Sequence, residues 1–467
     1  MKKENYAISF LKGIACIFVV LNHYHWSGVG GDVTYALSHF GVPIFFLISG
    51  YYLYSGDLTL NKLPWKIKHI AHLLVFHISL FILDFITERI ILLGNVIPKD
   101  VVVKDILSYF SLNSFKGCLL WSKSLFGTGQ WFLIALLEGY GICWVIYKLQ
   151  AQKPIEKQGI WIATSLFIIH IPVRILLLKT GFTELLGESV AESAFVRNVW
   201  TDALPFMFIG IWLRVNEVPE RIAQKKKWLL IVSLLSLIVS VGEYYLTSAF
   251  LGVIKVNSVL YIGTIISVIS AFVWAICYPD GLSGWISKAI EYIGKNLSMT
   301  VYFIHVIVAT YLQHFVIDGT KLAFPIIVII STIIISDIIF RMKKVITQNS
   351  TFDFLYLMAI AICLSLLILP VGSEWRMLVK VTDAGTSSIQ DEFKGDNQST
   401  LLVTAQDNNG VTVDAVEMPV VQFIGGGINR TLIVNGTEQS YNITYVNGRT
   451  MDFEISDGIR QIRVWAK

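Results

Sequence analysis

The chain has 467 residues, of which 54% are apolar or aromatic and only 15% charged, with a net charge of +4 and a mean hydropathy of +0.63. That is far more apolar than a soluble enzyme of this length, so a purely cytosolic protein is excluded. The five cysteines (Cys16, Cys118, Cys143, Cys277, Cys363) form no CxxC pair and four lie in apolar runs, so neither a disulfide framework nor a metal site is expected.

A helix needs about 20 apolar residues to cross a bilayer, and eleven such runs follow one another, at residues 6–24, 35–55, 69–93, 129–148, 159–179, 199–214, 228–251, 258–278, 297–317, 322–340 and 353–370. Spanning strands would be short alternating segments instead. The expectation is an all-α polytopic membrane domain of about 10–11 transmembrane helices over residues 1–372. The sixth run is short and contains Pro205.

Lys and Arg concentrate in cytoplasmic loops. With the N-terminus inside, the inner loops hold 18 of them and the outer loops eight, or ten if Arg89 and Arg174 are read at outer helix ends. A multi-pass protein of the cell membrane is expected, its N-terminus cytoplasmic and its C-terminus outside. The first run lacks a small-residue cleavage site and reads as an uncleaved span. Lys225-Lys226-Lys227 reads as a topology and lipid-surface signal.

After Pro370 the composition changes: residues 373–467 carry 8 Lys and Arg against 12 Asp and Glu. Short β-branched runs there are separated by Asn409-Gly410, Asn435-Gly436, Asn447-Gly448 and Asp457-Gly458, the dipeptides that type I′ hairpin turns favour. A small all-β sandwich, outside the membrane, is expected for residues 373–467. It has no Cys and no His and reads as a binding or spacing module.

Ionisable side chains at membrane depth are costly and therefore candidates for function. Lys12 and His23 share the first span, eleven residues and about 16 Å apart along a helix. Asp84, Glu138, Asp202, Glu243 and Asp337 sit in later runs and are consistent with a polar path. Ser49-Gly50 closes the second span, where small residues usually permit close helix contact.

Several segments, in order, resemble the membrane-bound acyltransferase family 3. They are Phe10-Leu11-Lys12-Gly13-Ile14-Ala15 with Val19-Val20-Leu21-Asn22-His23, then Val42 to Tyr51 with its Phe-Phe-Leu-Ile-Ser-Gly core, Gln130-Trp131-Phe132, Leu204 to Gly210, and Ser298 to His305. The likeness covers about residues 6–340. It implies a transferase that moves an acyl group, acetyl foremost, from cytosolic acyl-CoA to a hydroxyl of a cell-surface or lipid-linked glycan. By that resemblance His23 is the catalytic residue, Lys12, Lys66, Lys68 and His69 are the donor-binding set, and Ser49, Trp131 and His305 touch substrate. Where the family has an Arg-x-x-Arg pair, this chain has Lys66, Lys68, His69 and His72, which meet phosphates as point charges without the bidentate fork of Arg.

An unperturbed imidazole titrates near neutrality, so His23 suits proton transfer from a hydroxyl to a leaving thiolate; direct transfer and an acyl-histidine are both open. The expected partners are acetyl-CoA as co-substrate, a glycan acceptor and the bilayer, with no metal and no nucleic acid. The rival reading is a polytopic transporter or exporter of a glycan or small solute, with His23 and the buried carboxylates as its path. Transporters of the common secondary type carry an internal repeat, and none is evident.

Overall fold

In the computed structural model of the chain, the described residues run from Asn5 to Ile346, except 27, 88–105, 108, 126–128, 181–183, 186–187, 190–196, 253–259 and 316–321; beyond Ile346 they are strand segments only. The helices are α1 (Tyr6–His23), α2 (Gly28–Ser38), α3 (Gly41–Leu53), α4 (Thr59–Thr87), α5 (Leu112–Trp121), α6 (Trp131–Lys148), α7 (Lys153–Lys179), α8 (Leu204–Val215), α9 (Val218–Ile222), α10 (Lys226–Leu251), α11 (Ile262–Cys277), α12 (Trp285–Tyr292), α13 (Ser298–Phe315) and α14 (Phe324–Ile346). Two π-helical turns, Val199–Ala203 and Ile293–Leu297, lead into α8 and join α12 to α13.

Eight helical stretches among the described residues are long and apolar enough to cross a membrane, and they take up eight of the eleven expected runs. The difference from eleven has three sources. The run at 199–214 divides into a π turn and the 12-residue α8. The run at 258–278 yields the 16-residue α11, a shorter apolar helix. The run at 353–370 lies outside the described residues. The third span also begins earlier than hydropathy suggests: α4 starts at Thr59 and carries Pro64 inside the helix.

Local chemistry sets the ends and the crossings. The Asn5 side chain caps α1 by accepting from Ile8 N at 2.9 Å, while its amide donates to Ala275 O at 3.1 Å and so ties α1 to α11. Glycines allow the closest approaches, as small residues do between membrane helices. A Cβ on Gly13 would lie 2.2 Å from Ile290 O, and one on Gly294 1.8 Å from Ser9 O, so α1 presses directly on the α12–π segment. Gly50 against Met207 O (2.2 Å) and Gly210 against Leu47 O (2.4 Å) do the same for α3 and α8.

The main core gathers Ile44, Phe46, Leu47, Phe206, Met207, Ile209 and Phe272 from α3, α8 and α11, all fully buried. Large apolar side chains on α7, α10 and α14 point outward, among them Ile168 (65% exposed), Leu246 (72%) and Ile334 (54%). Such a surface is costly in water and matched to lipid.

The strand segments beyond Ile346 form a separate unit. They are Trp375–Thr382, Thr400–Asp407, Thr412–Ile424, Asn429–Val434, Ser440–Tyr445, Phe453–Ser456 and Gln461–Val464, each antiparallel to the next in sequence. The turn dipeptides expected between them lie outside the described residues.

Candidate active site

Helix α1 presents one stripe to the interior. Lys12, Cys16, Val19 and His23 are spaced 4, 3 and 4 apart, the repeat that keeps side chains on one helix face. All four line internal cavities. The α4 residues Ile70 and Leu73 and the α13 residues Ser298, Val301 and Tyr302 supply facing walls.

Two cavities result. A small one, about 40 Å³, surrounds His23 and is lined also by Asn22, Ser38, His39, Trp131, Arg197 and Asp202. A larger one, about 230 Å³, reaches Lys12 and Ser49 between mainly apolar walls such as Phe45, Leu133 and Leu136. Val19, Val42 and Tyr302 line both, so the two meet there.

His305 packs against His23 with ring centroids 5.2 Å apart. Its Nδ1 lies 2.9 Å from Tyr302 O and 3.1 Å from Val301 O. A nitrogen facing carbonyls must donate, so in the neutral ring Nε2 is left as an acceptor; that atom is buried with no protein partner. The Tyr302 hydroxyl donates to Gly129 O, which fixes the chain just before Trp131. His39, in the two-residue break between α2 and α3, repeats the pattern: Nδ1 lies 2.8 Å from Tyr35 O, and Nε2 is buried without a partner.

Asp202 comes from the first π turn, a helical irregularity frequent at functional sites. The Asn198 side chain caps the turn, accepting from Trp200 N at 2.9 Å and Thr201 N at 3.1 Å. Val199 N donates to Ser122 Oγ at 3.0 Å, and the Ser122 hydroxyl donates to Glu138 on α6. Thus braced, the Asp202 carboxylate is 93% buried by its 7% exposure, with Oδ1 unpartnered. Arg197 is close enough to act electrostatically on His23, His39 and Asp202.

Of the residues singled out from sequence, the structure places His23 and Trp131 on the smaller cavity, with His305 packed against the His23 ring, and Lys12 and Ser49 on the larger. Lys66 lies one turn before Ile70 on α4, its Nζ 5.5 Å from the centroid of Tyr140, whose phenol pairs with Ser49. Lys68 is exposed and His69 stacks on Trp65 at 5.3 Å; neither lines either of these two cavities. Sequence reasoning missed Ser38 and His39, and took Arg197 only as a loop charge. Nothing in their spacing links them to His23, because they arrive through a helix break and a π turn. Cys16 and Val19 were legible in principle, from the heptad-like spacing between Lys12 and His23.

A bundle of apolar helices, eight of them long enough to cross a bilayer, with a histidine-lined cavity in its interior, defines a multi-pass membrane protein. A family model described as an acyltransferase domain matches residues 5–341, most of the chain. The chain therefore belongs to the acyltransferase 3 family and is a membrane acyltransferase. No curated protein and no solved structure matches it.

Proposed function

We propose that this membrane acyltransferase carries an acyl group, acetyl foremost, from cytosolic acyl-CoA to a hydroxyl of a cell-surface or lipid-linked glycan. The observation that carries this reading is the α1 stripe: Lys12 and His23 stand in two cavities that meet at Val19, Val42 and Tyr302. The donor's pantetheine arm fits the larger, mainly apolar cavity. Its phosphates belong near Lys66, with Lys68 and His69 on the same stretch of α4, and Lys12 offers a charge farther in.

At the meeting point the thioester carbonyl comes within reach of His23. In direct transfer, His23 accepts the proton of the attacking hydroxyl, a C–O bond forms, the C–S bond breaks, and His23 returns the proton to the thiolate. In the covalent route a C–N bond to His23 forms as the C–S bond breaks, and the acceptor oxygen then displaces the imidazole. His305 holds a ring face against His23 in either case.

Orientation follows the Lys and Arg count: N-terminus in the cytoplasm of a cell with a plasma membrane, acceptor outside. Residues 373–467 then form an extracytoplasmic β sandwich that binds or spaces the glycan.

The test uses membranes holding wild-type or His23→Ala protein at equal abundance, incubated with labelled acetyl-CoA. Thiol release and label in extractable glycan that both depend on His23 support the proposal. Absence of both in wild type, together with unchanged O-acetylation of host glycan on deletion, favours the transporter instead.

A further inference from the structure

Three buried acceptor atoms without hydrogen-bond partners lie on residues that line the His23 cavity or pack on the His23 ring. They are Nε2 of His39, Nε2 of His305 and Oδ1 of Asp202. Each is fixed by its neighbours: the two imidazoles by Nδ1–H bonds to the carbonyls of Tyr35 and of Val301 and Tyr302, the carboxylate by the capped and braced π turn. Asp202 and His39 line the smaller cavity itself, beside Asn22 and Arg197.

Buried acceptors left unpaired are unfavourable, and a ligand that brings donors recovers that loss. Arg197, Asn22 and Trp131 add donors to the same cavity, so it offers acceptors and donors together, as hydroxyls, which both donate and accept, require. A ligand complementary to it carries several hydroxyls on adjacent atoms, one for His23 and others for its neighbours.

We infer that Asp202 and His39 form a subsite for two hydroxyls of the acceptor that flank the reacting one, each residue taking a hydrogen bond from one of them. This rests on the transferase reading and extends it to the residues that choose the acceptor. Asp202 and His39 are thus specificity residues, and the reacting hydroxyl is left to His23. An acceptor lacking the flanking hydroxyls strands the same two atoms, which is the most discriminating arrangement a polar pocket offers.

The experiment has a kinetic and a binding arm, both on the full chain with Asp202→Asn and His39→Gln as separate variants. In the kinetic arm, mild-base-treated glycan from the host envelope is the acceptor and labelled acetyl-CoA the donor. The expected result is an increase of about tenfold or more in half-saturating glycan, with half-saturating acetyl-CoA changed less than about twofold. In the binding arm, protein in a detergent without sugar headgroups is melted with methyl hexopyranosides or with 2-methoxytetrahydropyran, the same ring without hydroxyls. The hydroxylated probes are expected to raise the melting temperature of wild type and not of the variants, as a ligand specific to the native state does.

Wild type that is stabilised by the hydroxylated probes but transfers no acyl group keeps the diol subsite and overturns the transferase reading. Transfer that depends on His23, with glycan half-saturation unmoved in both variants and no stabilisation by hydroxylated probes, overturns the subsite. Variants that weaken acetyl-CoA and glycan alike also overturn it, since a general distortion then explains the loss. Two variants on different elements guard against misfolding of either one.

Discussion

His23 is the last residue of α1, with the His305 ring tilted against it at 5.2 Å and the smaller cavity before it. Removing a general base costs about 10²–10⁴-fold in rate, so His23→Ala is expected to lower acyl transfer by that factor while leaving donor affinity within about twofold, as read by labelled acetyl-CoA turnover and binding. Gly50 has a structural task instead. With Met207 O 2.2 Å from where its Cβ would stand, Gly50→Val forces α3 and α8 apart, at a cost of about 1–3 kcal/mol or more. A melting curve should show the loss, against Gly30→Ala as a control, where nothing lies within 4 Å.

At the scale of elements, the π turn before α8 is held by a short polar chain from Glu138 through Ser122 to Val199 N. Ser122→Ala leaves a buried amide and a carboxylate short of a partner, so stability should fall by about 1–3 kcal/mol and acyl transfer should fall with it as Asp202 loses its position. Helix α4 makes a separate prediction: Lys66→Ala raises half-saturating acetyl-CoA with little change in maximal rate, and the difference narrows as salt is added, because a point charge on phosphate is screened. These two elements divide what the amino-acid order reveals. The α1 and α13 residues could be read because a helix repeats every 3.6 residues and the resemblance placed His23 and His305 on two such helices. Ser38, His39 and Arg197 could not, since they reach the chamber through a break and a turn that hydropathy does not register. Lys68 and His69 illustrate the converse limit: their sequence neighbourhood is that of Lys66, yet a rotation of 100° per residue carries Lys68 to the surface and His69 onto Trp65.

For the whole molecule, the apolar runs announce a bilayer protein, and their number depends on how α8 and α11 are counted. Periodicity says where a helix begins; it does not say how much of a run becomes a π turn, as at Val199–Ala203. Topology is open to direct measurement. A tag at Lys467 should be reached by an impermeant reagent in intact cells, while a cysteine introduced in place of Lys225 should require permeabilisation; the reverse pattern would invert the proposed orientation.

The narrow meeting of the two cavities at Val19, Val42 and Tyr302 has an energetic consequence for the cell. A polar route from one face of the membrane to the other is also a route for protons, and any leak drains the gradient that powers the cell. Two valines and a tyrosine whose hydroxyl donates to the Gly129 carbonyl line the place where the cavities adjoin, and hydrophobic constrictions block ions by excluding water. On the proposed reading these side chains insulate the chamber until the arm of an acyl donor enters between them. Val19→Gly with Val42→Gly should therefore let reconstituted vesicles lose an imposed pH difference faster than wild type, as followed with an entrapped pH dye, and saturating acyl-CoA should slow that loss. If the proposed transfer runs across the bilayer, the protein carries an insulating duty that a soluble transferase never meets.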